Sequence, residues 1–399
     1  MHGLTAKNVL RLFVLPDIKT QTAEELQAVF SARGQPVYRV PQLLEWLYVH
    51  QVTDWDEMSN LPRGLLDELR REYSFHCLEL VRKQGARDTT QKFLWRLSDR
   101  SLIESVLIPA NPALFGEPSD RHTLCVSTQV GCAYGCKFCA SGLEGLKRNL
   151  RVEEIVEQVL GVERESASVE CRVSSDKPPG GASPRVTTHN PRLVSNLVIM
   201  GMGEPLANYD NLMKALKILN APWGGGIGAR KITVSTSGLV PEIRKLADEP
   251  LQFRLAISLH GATDGTRNKI MPVNRKYPLA ELTAACEHYQ QRKGRMITFE
   301  YILIEGVNDG LEQVKPLAAL ARRLNAKVNL IPYNKVEGLP WERPSEHAQE
   351  AFLAALERQK VAATLRREKG HDIDAACGQL RLKTERELAV EKQVEKPTS

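Results

Sequence analysis

Long apolar runs are absent from this chain of 399 residues. The longest apolar stretches, such as Leu193 to Met202, fall well short of the roughly 18 to 20 apolar residues that cross a bilayer. The first residues, Met1 to Val14, contain no continuous apolar block before a small-residue cleavage site. We therefore expect no membrane span, no secretion signal and a cytoplasmic protein.

Strong charge of one sign is also absent. Lys and Arg number 54 against 48 Asp and Glu, which gives a formal net charge of +6. That mild excess permits a polyanionic partner without establishing one. Hydrophobic residues at 42% and charged residues at 26% are ordinary globular values and argue against a disordered chain or a rod.

Eight cysteines without a secretion signal indicate thiols that serve metals or catalysis rather than a disulfide framework. Three of them, Cys132, Cys136 and Cys139, form a C-x3-C-x2-C motif. A second cysteine pair that would complete a typical zinc site is missing from the sequence. A cubane iron–sulfur cluster held by three cysteines would instead leave one iron open to a ligand. Chance clustering, or a zinc ion completed by a distant histidine, is the alternative.

The pattern of apolar residues changes near residue 90. Before it, helical spacing predicts a small helical domain over residues 1–90. After it, short β-rich runs alternate with amphipathic helices, such as a strand over Lys327 to Pro332 and a helix over Glu346 to Arg358. Repeated strand–helix–strand units predict an α/β domain over residues 91–380 with a parallel sheet, open or curled into a barrel.

Two segments depart from this pattern. Glu165 to Arg192 is rich in turn-forming residues and low in apolar ones, which predicts a flexible surface insertion. Arg381 to Ser399 is charged and nearly free of large apolar residues, so a frayed or weakly helical tail is expected.

Small polar groups follow several predicted strands, where parallel α/β folds place their ligands. Gly203 and Glu204 lie in a Gly-Met-Gly-Glu-Pro turn, and glycines there let backbone approach a ligand whose amino group the carboxylate can bind. The other strand-end candidates are Ser235, Ser258, Leu259, His260 and Asn334. For each of these, a hydrogen-bonded loop terminus is the alternative interpretation.

Two cysteines outside the motif are also distinctive. Cys125 lies in a predicted strand seven residues before Cys132, and Cys377 lies among small residues beside Gly378, after the final predicted strand. A thiol at Cys377 could enter the mouth of a barrel. The remaining cysteines, Cys77, Cys171 and Cys286, are interpreted as small buried apolar residues.

The three-cysteine motif, with Phe138 before its last cysteine, resembles the signature of the radical S-adenosylmethionine (SAM) superfamily. The motifs together are similar to the RlmN/Cfr family of RNA methyltransferases over nearly the whole chain. Departures are the insertion and the extra residues at 110–117. Matching positions are Glu104, Cys125, the three motif cysteines, Gly203, Glu204, Ser235, Ser258, Leu259, His260, Asn334 and Cys377.

The resemblance implies a partial (βα)6 radical SAM barrel with a small N-terminal helical domain that docks RNA. It implies a [4Fe-4S] cluster on Cys132, Cys136 and Cys139, and SAM held by the strand-end residues. It further implies methylation of adenine C2 in 23S ribosomal RNA and in transfer RNA through S-methylated Cys377, with Glu104 as base and Cys125 as resolving thiol. Flavodoxin or ferredoxin as electron donor and a monomeric state are part of the same expectation.

Two other functions remain open at the level of sequence. One is methylation of adenine C8, as in Cfr-like enzymes. The other is a non-catalytic metal-cluster RNA-binding module, which would explain Cys132 to Cys139 but gives no reason for Glu104, Cys377 or the Gly-Glu-Pro turn. The basic pairs Lys147-Arg148, Arg230-Lys231 and Arg322-Arg323 are candidate phosphate contacts, although solvated helix faces are the simpler interpretation.

Overall fold

The computed structural model describes residues 15–86, 89–110, 121–173, 192–366 and 378–394. They form two compact units, one ending at Cys77 and the other beginning at Leu78. The division therefore falls before the first strand of the chain, rather than near residue 90. Within the described residues, no helix combines the length and the apolar character needed to cross a membrane.

The first unit contains three helices, α1 (Ala23–Ala32), α2 (Arg39–Tyr48) and α3 (Arg63–Glu72). Thr22 begins α1 with a capping box, because its side chain accepts the Glu25 N–H while the Glu25 carboxylate accepts the Thr22 N–H. One apolar stripe of each helix is buried, and the three stripes form the core of this unit.

The second unit is built on a sheet of ten strands. Four antiparallel strands come first: β1 (Glu79–Gly85), β2 (Gln91–Arg96), β3 (Leu102–Pro109) and β4 (His122–Cys125). From β4 the sheet continues in parallel through β7 (Asn196–Ile199), β8 (Ile232–Thr236), β9 (Arg254–Ser258), β10 (Thr298–Leu303), β11 (Lys327–Pro332) and β12 (Ala363–Leu365). A separate hairpin joins β5 (Gln129–Gly131) to β6 (Leu146–Asn149).

Helices connect the parallel strands. They are α4 (Val152–Val173), α5 (Tyr209–Asn220), α6 (Val240–Asp248), α7 (Asp264–Ile270), α8 (Leu279–Lys293), α9 (Val314–Arg323) and α10 (Glu346–Arg358), followed by α11 (Gln379–Val394). Short 3-10 turns lie at Ile18–Thr20, Trp55–Glu57, Ala140–Gly142, Pro205–Asn208, Ala229–Lys231, Pro272–Arg275 and Leu311–Gln313.

The parallel strands follow one another across the sheet in chain order. An open doubly wound sheet would reverse its strand order at a switch point, whereas a singly wound barrel does not. Within the described residues no pairing joins β12 to β1, so the sheet is not closed. The predicted α/β fold with a partial barrel is confirmed, and the antiparallel strands β1 to β3 are an addition that the sequence did not predict.

The insertion and the tail differ from expectation in the residues that are described. Helix α4 continues to Val173, into the first part of the predicted insertion, and residues 174–191 lie outside the described residues. The tail begins as α11, in which Leu380 and Arg381 are both 0% exposed. Its charge is accommodated because Arg381 pairs with Glu144 at 2.7 Å and with Glu385 at 2.6 Å.

Candidate functional site

A cavity of about 360 Å³ lies at the carboxyl ends of the parallel strands. Residues that directly follow β7, β8, β9 and β11 line it, as expected for the ligand site of a parallel α/β fold. The predicted site residues that line this one cavity are Cys125, Cys132, Cys136, Cys139, Gly203, Glu204, Ser235, Ser258, His260 and Asn334.

Backbone hydrogen bonds fix the loop that carries the three cysteines. The Cys132 N–H donates to the Gly145 carbonyl at 3.0 Å, and the Lys137 N–H donates to the Ile270 carbonyl at 2.9 Å. Gly131 has φ +78°, and a Cβ there would lie 2.0 Å from the Gly145 oxygen. Only glycine fits this position. The loop is thus held by its backbone, and the side chains of its three cysteines line the cavity.

The chemistry of the donor set fits a cluster. Burial raises the pKa of Cys132 to about 11 and also raises the pKa of Cys136, with neighbouring cysteine charge adding to both effects. No three His, Cys, Asp or Glu side chains in the described part of the chain converge as ligands of a single metal ion. In a cubane each thiolate binds a different iron, so three cysteines need only surround a shared space. Cys132, Cys136 and Cys139 do so around this cavity.

Glu204 is a buried carboxylate with an ordered set of donors. Its Oε2 accepts the Ser237 N–H at 2.7 Å and its Oε1 accepts the Leu206 N–H at 3.1 Å. Burial raises the pKa of Glu204, against the effect of the Ser237 N–H. Gly203 has φ +101°, which explains the glycine before this carboxylate. The turn therefore presents a rigid acceptor at the cavity, suited to an ammonium group.

His260 is held in one protonation state. Its Nδ1 accepts the Ile302 N–H at 3.0 Å, and burial, with a smaller contribution from Arg267, lowers the pKa of His260 to about 3. The ring packs edge-on against Phe138 with centroids 4.8 Å apart. Because Nδ1 is an acceptor, the hydrogen of the neutral ring is on Nε2.

The hydroxyl oxygens of Ser235 and Ser258 lie 3.3 Å apart in adjacent strands β8 and β9. Asn334 lies two residues after β11 and lines the same cavity. Leu259 differs from its neighbours, because its side chain is buried and the lining residues include Ser258 and His260 but not Leu259. Any contact it makes with a ligand would use its backbone.

Glu104 is buried beside the cavity rather than among its lining residues. Its Oε2 lies 3.0 Å from Lys92 Nζ and accepts the Gly378 N–H at 2.8 Å, and its Oε1 accepts the Arg381 N–H at 2.6 Å. Two residues along β3, Val106 pairs with Cys125 of β4. Cys377 lies outside the described residues, but Gly378, the next residue, contacts Glu104 directly.

Glu300 and Arg267 are among the buried charged residues that sequence reasoning missed. Glu300 in β10 lines the cavity, and its Oε2 accepts an amide hydrogen of Asn329 at 2.9 Å. Burial raises the pKa of Glu300. The signal was a glutamate within an otherwise apolar strand. The second is Arg267 in α7, at 0% exposure, which the sequence does not mark.

Acidic or polar groups contact two of the three basic pairs. Arg148 contacts Asp99 and Glu154, Lys147 lies 3.5 Å from Glu385, and Arg323 lies 2.7 Å from Glu287. Arg322 donates to the Gln359 carbonyl. Arg230 and Lys231 are exposed before β8.

Comparison with known proteins defines the class first. Residues 188–318 match the model of the radical SAM superfamily, and residues 17–74 match that of the ribosomal RNA large subunit methyltransferase N-terminal domain. The fold is similar to the crystal structure of a radical SAM methyltransferase from Sphaerobacter thermophilus, with a TM-score of 0.80 and 41% identity over 91% of this chain and 98% of that one. The chain is a radical SAM enzyme.

Curated relatives define the family. A probable dual-specificity RNA methyltransferase RlmN 3 from Opitutus terrae is 54% identical over 94% of this chain and 96% of its own length. A relative from Akkermansia muciniphila is 50% identical, covering 94% and 97% of the two chains. The dual-specificity RNA methyltransferase RlmN of Anaeromyxobacter dehalogenans is 43% identical, covering 92% and 91%. The chain belongs to the RlmN family.

Proposed function

We propose that this enzyme methylates C2 of adenosine in 23S ribosomal RNA and in transfer RNA, using a [4Fe-4S] cluster and SAM. The observation that carries the proposal is one cavity that combines the three motif cysteines, the Gly203-Glu204 turn and the Cys125 thiol. The Glu104 carboxylate beside it binds the residue that follows Cys377. A cluster that served only to fold an RNA-binding loop would require none of the other three features.

The chemistry of the target explains why cysteines are needed. Adenine C2 is an electron-poor carbon that cannot displace a methyl group from SAM as a nucleophile does. When bound, the cluster and SAM supply a methyl group and a 5′-deoxyadenosyl radical. A thiol is a suitable methyl acceptor because its thiolate is a strong nucleophile. Cys377 would take up the methyl group, lose one of its hydrogen atoms to the 5′-deoxyadenosyl radical, and present the resulting methylene radical to C2 of an unstacked adenine.

The chain's own residues would then complete the reaction. Once the methylene carbon has bonded to C2, Glu104 would take the C2 proton. The Cys125 thiolate would attack the Cys377 sulfur, breaking the bond between that sulfur and the methylene carbon and forming a disulfide. A proton added to the released methylene carbon would complete the methyl group, and the unpaired electron would leave through the one-electron redox chemistry that a bound cluster supplies. Release of the methylated RNA follows, and a thiol reductant would restore both cysteines.

The remaining cavity residues would bind SAM. Cys132, Cys136 and Cys139 would hold three irons, and Glu204 would accept hydrogen bonds from the SAM ammonium group. Ser235, Ser258, His260, Asn334 and the Leu259 backbone offer hydrogen-bonding groups for the rest of the molecule. Flavodoxin or ferredoxin is the proposed electron donor. The N-terminal helical unit is the proposed RNA-docking domain, and we propose a monomer.

The test uses the full chain, purified and loaded with iron without oxygen. After incubation with SAM, a reductant and unmethylated RNA, nucleosides are separated against standards of 2-methyladenosine and 8-methyladenosine. We expect about four irons per chain, 2-methyladenosine as the product, and no product from Cys377→Ala. Production of 8-methyladenosine would establish the Cfr-like alternative. A fully loaded enzyme that modifies neither position would contradict the proposal.

A further inference from the structure

Arg267 is a buried charge without an ion-pair partner among the described residues. It lies in α7 and is 0% exposed. One guanidinium nitrogen donates to the Ser237 carbonyl, another lies 4.0 Å from the Met271 sulfur, and Nε has no hydrogen-bond partner in the described part of the chain. Burying a charge without a counter-charge is costly. Retaining one here implies that an anion completes the site.

The position of Arg267 is directly behind the cysteine loop. The Ile270 carbonyl, about one turn after Arg267 in α7, accepts the N–H of Lys137. Lys137 is the residue that follows Cys136, so α7 is bonded directly to the cysteine loop. A Cβ at Gly238 would lie 3.1 Å from a guanidinium nitrogen of Arg267. The guanidinium therefore packs against the backbone of Ser237 and Gly238, and Arg267 is not among the residues that line the cavity.

The same contacts connect Arg267 to Glu204. Arg267 binds the Ser237 carbonyl, and the Ser237 N–H donates to Glu204 Oε2 at 2.7 Å. The Ser237 carbonyl and the Ser237 N–H belong to adjacent peptide units, so a donor that holds the carbonyl also fixes the orientation of the N–H that binds Glu204. Arg267 is thus connected to Glu204 through a single residue, Ser237. Its helix is connected to the cysteine loop through the hydrogen bond between Ile270 and Lys137.

The acidic groups around Arg267 narrow the choice of counter-charge. They are Cys136, Asp264, Cys286 and Glu204. Burial lowers the pKa of Arg267 to about 10, so Arg267 stays charged at neutral pH. Asp264 is exposed and already accepts hydrogen bonds from Asn274 and the Leu279 N–H. Burial raises the pKa of Cys286 to about 12, so that thiol is neutral. The remaining candidates for the counter-charge of Arg267 are Glu204 and the thiolates of the three cysteines when they hold a cluster.

We propose that Arg267 is the buried counter-charge of the cluster and a positioning residue for Glu204. The inference rests on the proposed function, because it requires a cluster on Cys132, Cys136 and Cys139. Three thiolates on a [4Fe-4S]²⁺ core carry a net charge of −1, and one-electron reduction makes it −2. A nearby fixed cation favours the more negative state, so Arg267 raises the midpoint potential of the cluster.

The test compares variants that separate charge from hydrogen bonding. Arg267→Lys keeps the charge, and Arg267→Gln keeps a donor for Ser237 but removes the charge. Lys269→Met removes the same unit charge from an exposed position of the same helix and is the matched control. Iron content is measured first, and the midpoint potential is then read by anaerobic redox titration with electron paramagnetic resonance.

We expect Arg267→Gln to lower the equilibrium constant for cluster reduction about tenfold, which is ~59 mV for one electron. Arg267→Lys and Lys269→Met should stay close to wild type. The cluster-free Arg267→Gln chain should be at least as heat-stable as the cluster-free wild type, since an uncompensated buried charge has been removed, while gaining less stability on loading. A purely structural role predicts the opposite: loss of apoprotein stability at an unchanged potential.

The outcomes are distinguishable from those of the proposed function. A wild-type chain that binds no iron would contradict the cluster itself. A loaded Arg267→Gln variant with the wild-type potential would overturn only the counter-charge. If Arg267→Gln does not fold, Arg267→Lys still tests the proposal, because it keeps the charge and should keep the wild-type potential. A potential that is about 59 mV lower in Arg267→Lys would show that the charge is not the relevant property.

Discussion

Cys125 is a thiol in the cavity wall whose chemical role can be separated from its packing. It lies in β4, paired with Val106 of β3, and is mostly buried. The Cys125→Ala chain should still accept a methyl group on Cys377 and bond to RNA, because neither step uses the resolving thiol. It cannot release the product. We expect RNA to accumulate covalently on Cys377, detected by denaturing gel and peptide mass spectrometry.

The matched control is Cys286→Ala. Cys286 is fully buried in α8 and is absent from the cavity lining. Its loss removes a similar volume without touching the site, so turnover should persist. Normal turnover by Cys125→Ala, or the absence of an adduct while wild type methylates the same RNA, would return Cys125 to the role of a buried strand residue.

His260 is a single residue whose burial should make the free energy of unfolding depend on pH. Its pKa falls from 6.5 to about 3 on folding because of burial. Below pH 6.5 the unfolded chain binds a proton that the folded chain excludes, so this stability is present above pH 6.5 and lost as the pH falls toward 3. From pH 7 to pH 5.5, wild type should lose about 1 kcal/mol more than His260→Gln in urea unfolding of the cluster-free chain. Equal losses would indicate a protonated His260.

At the scale of elements, α11 is attached to the sheet by a carboxylate at its beginning. Glu104 accepts the N–H groups of Gly378 and Arg381, which an α-helix leaves without internal partners. We expect Glu104→Ala to increase amide exchange in the first turns of α11 by about tenfold or more, because two buried hydrogen bonds are lost. Methyl acceptance by Cys377, measured by mass spectrometry without RNA, should fall with it.

The control for that experiment lies on the same helix. Glu387 pairs with Arg82 at 2.7 Å, but both side chains are partly exposed, and such pairs contribute little. Glu387→Gln should leave exchange and methyl acceptance unchanged. If Glu104→Ala abolished RNA methylation yet left both readouts at wild-type levels, Glu104 would act on the adenine alone and not as the anchor of α11.

The insertion after α4 is a second element with a testable role. Its first residues continue α4 to Val173, and the following Ser174 to Pro184 is rich in serine, proline and glycine. Such a composition cannot build a core. Replacing Ser174 to Pro184 with a short Gly/Ser linker should leave iron content and methylation largely intact. Loss of cluster binding in this variant would show that the segment contributes to the site.

Across the whole molecule, the sequence predicted what is encoded locally. Strand β11 and helix α10 have the predicted bounds because each has a clear apolar period. The cysteine motif is likewise a local pattern. Strand β1 was missed since most of its residues are only half-buried. The tail was expected to be frayed or weakly helical, and the packing of α11 was missed because its buried face includes Arg381.

Buried charges illustrate the limit of such reasoning. Arg381 pairs with Glu385 in its own helix and with Glu144, which lies 237 residues earlier in the chain. Glu104 lies 274 residues before Gly378, whose N–H it accepts. Neither the amino-acid composition nor the spacing of apolar residues identifies which distant acidic side chain will pair with a buried basic one. Arg267 and Glu300 were missed for the same reason, since only the folded sheet brings their surroundings together.

The pairing of Cys125 with Cys377 tests fold and mechanism at once. The β3–β4 register places Cys125 opposite Val106, and Glu104, two residues earlier in β3, binds the Gly378 N–H. A disulfide requires the two Cα atoms to come within about 6 Å. Mild oxidation of the full, cluster-free chain should therefore cross-link Cys125 to Cys377, as read by peptide mapping under non-reducing conditions. Glu104→Ala should reduce the yield, because the segment beside Cys377 loses its anchor. Cross-linking of Cys377 only to Cys132, Cys136 or Cys139, with Cys125 left as a thiol, would contradict the resolving role and the proposed approach of the two segments.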